Sequence, residues 1–140
     1  TKNKNVNRTF ILSTNEERQK ACKEKFIFSE NISGYKIIVV DDTIVRGNVM
    51  TSIVNKLWKM GAIEIHIRIP APPVISKCQF GIDIPSEKEL LATNKNNVQI
   101  RNLLNVTSIR YLDCKDLDTI IPKDSYKECF SGKVNIKLTN

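Results

Sequence analysis

Ile37-Ile38-Val39-Val40-Asp41-Asp42-Thr43-Ile44-Val45-Arg46-Gly47-Asn48 decides the fold: an aliphatic run ends in two acids, then a hydroxyl and a glycine, and a helical pattern follows. A continuous apolar run of this length fits a strand buried on both faces of a parallel sheet. Downstream, Val49, Ile53, Val54, Leu57 and Met60 recur at helical spacing, and Gly61 supplies a left-handed stop. Ile63, Ile65, Ile67 and Ile69 then alternate with Glu64, His66 and Arg68, which predicts a strand with one wet face near a sheet edge. Strand, helix and strand in succession make one βαβ unit.

Outward from that unit the periodicities are shorter. Thr9 to Leu12 is a strand candidate, and Thr14 or Asn15 caps a helix that runs through Arg18, Lys23 and Lys25 to about Phe26. Pro70, Pro72 and Pro73 start a loop after the second strand of the unit. Ser86 with Glu89 has the spacing of a capping box and predicts a short helix through Leu90 and Leu91. A helix over 98–104, a strand over 108–112 and a last helical turn ending at Pro122 complete the domain. The expectation is an α/β domain over residues 1–122 and a basic tail over 123–140.

Composition narrows the function classes. The 140 residues carry 22 Lys and Arg against 15 Asp and Glu, for a net charge of +7. The basic residues are spread out and aromatics make up 6%, so the chain has no stacking platform for nucleic acid. A small anionic substrate is the better use of that field. The longest purely aliphatic run, 37–40, falls far short of the ~20 residues that span a bilayer. No nucleic-acid partner and no membrane span are therefore expected. The cysteines, Cys22, Cys78, Cys114 and Cys129, form no CxxC pair, and a domain of this size needs no disulfides, so reduced thiols in a cytoplasmic protein are expected.

The chemistry lies where the first strand of the unit ends. Ligands of open α/β sheets sit beyond strand C-termini, and the free N–H groups opening the next helix attract anions. Gly47 permits close backbone approach to a phosphate, and Thr43 can add a hydroxyl donor. Two adjacent carboxylates would repel that phosphate unless they serve sugar hydroxyls or Mg²⁺. The local chemistry thus points to a phosphorylated sugar. A bare strand-end turn with capping acids is the competing reading, and it suits a lone Asp-Asp better than the full strand–loop–helix arrangement.

VVDDTIVRGN (residues 39–48) resembles the phosphoribosyl-pyrophosphate (PRPP) signature of type I phosphoribosyltransferases. RTFI (8–11), GAIEIHIRIPAPPV (61–74), CQFGIDIPSEKELLA (78–92), YLDCKDL (111–117) and CFSGK (129–133) extend the likeness to the amidophosphoribosyltransferases in particular. The resemblance implies a Rossmann-like parallel sheet of the type I phosphoribosyltransferase class with a C-terminal helical and basic extension. It implies that Asp41 and Asp42 hold the ribose hydroxyls of PRPP and Mg²⁺. Thr43, Ile44, Val45, Arg46, Gly47 and Asn48 would wrap the 5′-phosphate, and Arg18, Lys23 and Lys25 would lie in a loop closing over the substrate. The family reaction displaces pyrophosphate from PRPP with ammonia from glutamine, giving 5-phosphoribosylamine as the first committed step of purine synthesis. Its members are commonly homo-oligomers.

The sequence also departs from the family pattern. Val49 stands where relatives often carry a hydroxyl. Cys78 and Cys129 fall at positions that ligate a [4Fe–4S] cluster in many members, but Tyr126 replaces a third ligand, and two thiolates do not make a Cys₄ site. An iron–sulfur cluster is therefore not expected. The family's glutaminase domain and pyrophosphate loop would match positions upstream of Thr1, so the chain is expected to be the C-terminal, PRPP-binding portion. A non-catalytic protein that binds ribose phosphates is the alternative. His66, the only histidine, is expected to be a surface residue of its strand rather than a catalyst.

Overall fold

The computed structural model describes residues 31–78 and 86–132. The strand expected at Thr9 to Leu12 and the helix carrying Arg18, Cys22, Lys23 and Lys25 lie outside the described residues. Three parallel strands, β1 (Lys36–Val40), β2 (Glu64–Ile69) and β3 (Ser108–Tyr111), form a sheet in the order β1-β2-β3. The main helices are α1 (Asn48–Lys59), between β1 and β2, and α2 (Asn97–Leu104), just before β3. Two shorter ones, α3 (Cys114–Ile120) and α4 (Glu128–Ser131), follow. This is a parallel α/β arrangement, the class the sequence resemblance implies.

One face of the sheet carries the core. Met50, Val54 and Leu57 of α1 and Ile100 and Leu104 of α2 pack with Ile65, Ile67, Ile69 and Ile109. Burying each such side chain contributes about 1.5–3 kcal/mol, more than the weak propensity of these short helices supplies. Gly61 ends α1 at φ +86°, where a Cβ would come within 2.7 Å of Ser33 Oγ. The Trp58 indole N–H donates to the Asn105 carbonyl at 2.8 Å and ties α1 to the left-handed end of α2.

Several local expectations need correction. β1 is not buried on both faces: Ile37 and Val39 face the core, whereas Ile38 and Val40 are 66% and 69% exposed. The described helices cover only one face, so an all-aliphatic strand leaves half its side chains open. β2 is the central strand among the described residues, not an edge. Its alternation reflects that same one-sided cover, because strand position is set by pairing rather than by hydropathy. On the open face Lys36 Nζ lies 2.6 Å from Glu64, and His66 bridges Glu64 (2.9 Å) and Ser108 Oγ (2.8 Å). His66 is half-buried and hydrogen-bonded on that open face. Lys36 and His66 hold the Glu64 carboxyl below its usual range.

The Ser86–Glu89 box also forms differently. Ser86 Oγ accepts from the Lys88 N–H at 3.3 Å and opens a single 3-10 turn, Glu87–Glu89, that ends before Leu90. A reciprocal box forms instead at α2, between Asn96 and Gln99, with both bonds at 2.9 Å. Within the stretch expected as a tail, α4 docks on the body: the Ile75 and Ser76 N–H groups both donate to the Cys129 carbonyl, and Cys129 and Phe130 pack on Val74 and Leu90.

Candidate functional site

Two apolar side chains of the strand-end loop, residues 41–47, anchor it to the body. The Asp41 N–H donates to the Arg68 carbonyl at 3.4 Å, the last link of the β1–β2 ladder. Asp41 Oδ1 accepts the Asp42 N–H at 3.2 Å, and the Asp42 side chain is exposed. Ile44 is buried in the main core, and Val45 packs on the smaller cluster of Val74 and Leu90.

Gly47 then turns the chain into α1. Its φ of +83° is left-handed, and a Cβ there would meet Leu91 Cδ2 at 3.1 Å. No side chain caps α1, and its first turn holds no acid. The first bond into the helix is the Thr51 N–H to the Gly47 carbonyl at 2.8 Å; among the described residues, the N–H groups of Thr43 to Met50 meet no protein acceptor. An uncapped helix start of this kind offers several donors and a positive dipole end to an anion. Two carboxylates, Asp41 and Asp42, stand at the strand end next to it.

Asp41 to Gly47 form the loop between β1 and α1 and Asn48 opens the helix, but Arg46 within the loop has a protein partner. Arg46 Nε lies 2.6 Å from Glu89 Oε2, with side chains 16% and 29% exposed. The Leu91 N–H donates to the Val45 carbonyl at 2.9 Å. Sequence reasoning missed both Glu89 and Leu91 as loop partners. Their spacing to Ser86 reads as a local cap, and nothing in a sequence pairs positions 46 and 89.

Burial first, then the neighbouring Cys78, pushes the Cys129 thiol up. Tyr126 Oη, at the position of a third cluster ligand in relatives, donates to the Glu128 carboxylate at 2.7 Å. Among the described residues no group of three or more His, Cys, Asp or Glu side chains is placed to hold a metal ion. Among the described residues, Cys78 and Cys129 bring two thiolates to this region, short of the four a Cys₄ site uses. Mg²⁺ does fit the acids, since it is usually bound through one or two carboxylates with substrate phosphates and waters completing the shell.

The chain matches no family model. It is 42% identical over 134 residues to the amidophosphoribosyltransferase of Methanocaldococcus jannaschii, an alignment covering 94% of this chain and 28% of that protein. It is also 42% identical over 118 residues to that of Methanothermobacter thermautotrophicus, covering 83% and 25%. Among solved structures, the glutamine PRPP amidotransferase from B. subtilis, complexed with ADP and GMP, matches 99% of this chain and 32% of its own at a TM-score of 0.73 and 29% identity. The chain thus spans about a quarter of the length of the curated relatives it matches. Over the segment that it spans, in sequence and in the order of its strands and helices, this chain belongs to the amidophosphoribosyltransferase family.

Proposed function

We propose that this chain supplies the PRPP-binding part of an amidophosphoribosyltransferase, which makes 5-phosphoribosylamine from PRPP and glutamine-derived ammonia. The observation that carries the reading is the loop from Asp41 to Met50: paired carboxylates at a strand end, followed by consecutive main-chain donors and an uncapped helix start. The 5′-phosphate sits on the donors of residues 43–50, and the ribose hydroxyls donate to Asp41 and Asp42. In the reaction the bond from C1 of the ribose to pyrophosphate breaks, that electron pair leaves with pyrophosphate, and ammonia nitrogen bonds to C1 and sheds a proton. Positive charge grows on the ring, and the two carboxylates stabilise it more strongly in the transition state than in the ground state. Mg²⁺, held by Asp41 and Asp42 with the substrate, would offset charge on the departing pyrophosphate. Arg18, Lys23 and Lys25 are proposed to close over the substrate. The protein is proposed to be cytoplasmic and to work as a homo-oligomer together with a glutaminase domain. Among the described residues, no helix is long and apolar enough to cross a membrane.

Titration calorimetry with ribose 5-phosphate and with PRPP plus Mg²⁺ tests the reading. Binding of both, with the PRPP affinity lost in Asp41→Asn/Asp42→Asn, is expected. Equal affinity in the double variant sinks the assignment. A pyrophosphate-release assay with PRPP, Mg²⁺ and ammonium separates catalysis from binding. The 140 residues alone are expected to bind weakly and release none, because groups that meet the leaving pyrophosphate match positions upstream in the family.

A further inference from the structure

The phosphate loop does not hold its own shape. Besides the Asp41 N–H to Arg68, Asp42 N–H to Asp41 and Thr51 N–H to Gly47 bonds, its main-chain N–H groups meet no acceptor among the described residues, and Gly47 holds a left-handed φ of +83°. The bracing comes from residues 89–91, far off in sequence. Glu89 takes the Arg46 guanidinium at 2.6 Å, the Leu91 N–H takes the Val45 carbonyl at 2.9 Å, and the Leu91 methyls press on Gly47 where a Cβ would sit. Leu90, between them, is buried against Val45 and Val74. The contacts thus alternate between side chain and main chain along 45–47, so a shift of the 3-10 turn moves the loop.

We propose that Glu89, acting through Arg46, is a positioning residue that sets the anion affinity of the phosphate loop, with Leu91 as its second brace. This rests on the functional reading above. An arginine in a phosphate loop is ordinarily read as a ligand of the phosphate. Here its Nε is directed to Glu89 in a partly buried pair, where the attraction is screened less than at the surface. Arg46 acts as a strut, and the phosphate is left to the main chain.

The two roles predict opposite signs. If Arg46 is a ligand restrained by Glu89, then Glu89→Gln frees a cation beside the anion site and tightens binding. If Glu89 positions the loop, Glu89→Gln and Arg46→Gln each weaken ribose 5-phosphate binding by about tenfold. The double variant then loses no more than either single one, and the charge-swapped pair Arg46→Glu/Glu89→Arg recovers part of the affinity. Amide exchange is read in parallel: the Leu91 N–H should exchange faster in Glu89→Gln, while core amides of β2 stay protected. A general loss of stability would not show that pattern. Unchanged or tighter binding in Glu89→Gln, or additive losses in the double variant, overturns the proposal. Should Glu89→Gln fail to fold, Glu89→Asp keeps the charge, shortens the reach and takes the same test. A wild-type chain that binds no ribose 5-phosphate defeats the functional reading instead. The brace is then judged on exchange alone, and unaltered Leu91 exchange in the variant overturns it.

Discussion

Gly47→Ala isolates the one backbone position on which the loop turns. Its φ of +83° and ψ of −9° lie in the left-handed region, where an alanine costs about 1–2 kcal/mol relative to glycine. The new methyl would also stand 3.1 Å and 3.3 Å from the two Leu91 methyls. Leu91 can yield by a few tenths of an ångström at its flexible end, for about 0.5–1.5 kcal/mol of off-rotamer strain. The two effects sum to about 1.5–3.5 kcal/mol, a fall in melting temperature on the order of 10 °C for a domain of this size. Urea unfolding of wild type and variant measures the total. Adding Leu91→Ala to the variant separates the steric share, and a favourable coupling of about 0.5–1 kcal/mol is expected between the two substitutions. Ribose 5-phosphate affinity should fall as well, since the helix start that presents the donors is re-aimed. A Gly47→Ala chain within about 0.5 kcal/mol of wild type, binding sugar phosphate as before, would refute the claim that this conformation shapes the site.

Other outcomes follow from single groups. The Tyr111 hydroxyl is buried without a hydrogen-bond partner among the described residues, and burial pushes its pKa up to about 12 from 10. The unfolded chain therefore loses that proton first, so stability should fall as pH rises from 10 to 12, and Tyr111→Phe should abolish the fall and stabilise the protein by about 1 kcal/mol in neutral buffer. Glu64 runs the other way: its depressed pKa adds stability above the ordinary value of 4.5, lost as pH falls through the folded value, so Glu64→Gln should flatten the acid limb of an unfolding-versus-pH curve. Anaerobically purified protein should be colourless and free of iron by elemental analysis; iron and sulfide near four per chain would overturn the argument from Cys78, Cys129 and Tyr126.

The fold was legible wherever a pattern reports its own burial. Val54 and Leu57 recur at helical spacing and are buried, and Ile65, Ile67 and Ile69 alternate and are buried. What such patterns do not report is what lies on the far side. The run from Ile37 to Val40 reads as doubly buried, yet Ile38 and Val40 stand open, because hydropathy records what a face would tolerate and not which element covers it. The alternation of β2 reads as an edge for the same reason. Pairing to β1 and β3 makes it central, and that pairing depends on registers between residues far apart in sequence, Lys36 with Glu64 and His66 with Ser108, rather than on any local period.

At the site the same limit takes a chemical form. Asp41, Asp42 and Gly47 are legible because their roles belong to their own backbone: a strand end, a left-handed turn, a helix start. Glu89 is illegible because its role belongs to Arg46. In sequence it is the fourth residue of a plausible capping box, a signal that asks only about Ser86; in space the carboxylate turns from that turn to a guanidinium 43 positions back. The genuine box at Asn96 and Gln99 carries the same signal and no such competitor. A capping acid and a long-range strut are thus indistinguishable until the fold supplies the cation. An acid that could serve either purpose goes to the half-buried charge, because leaving Arg46 unpaired away from water costs more than leaving the Ser86 N–H to solvent.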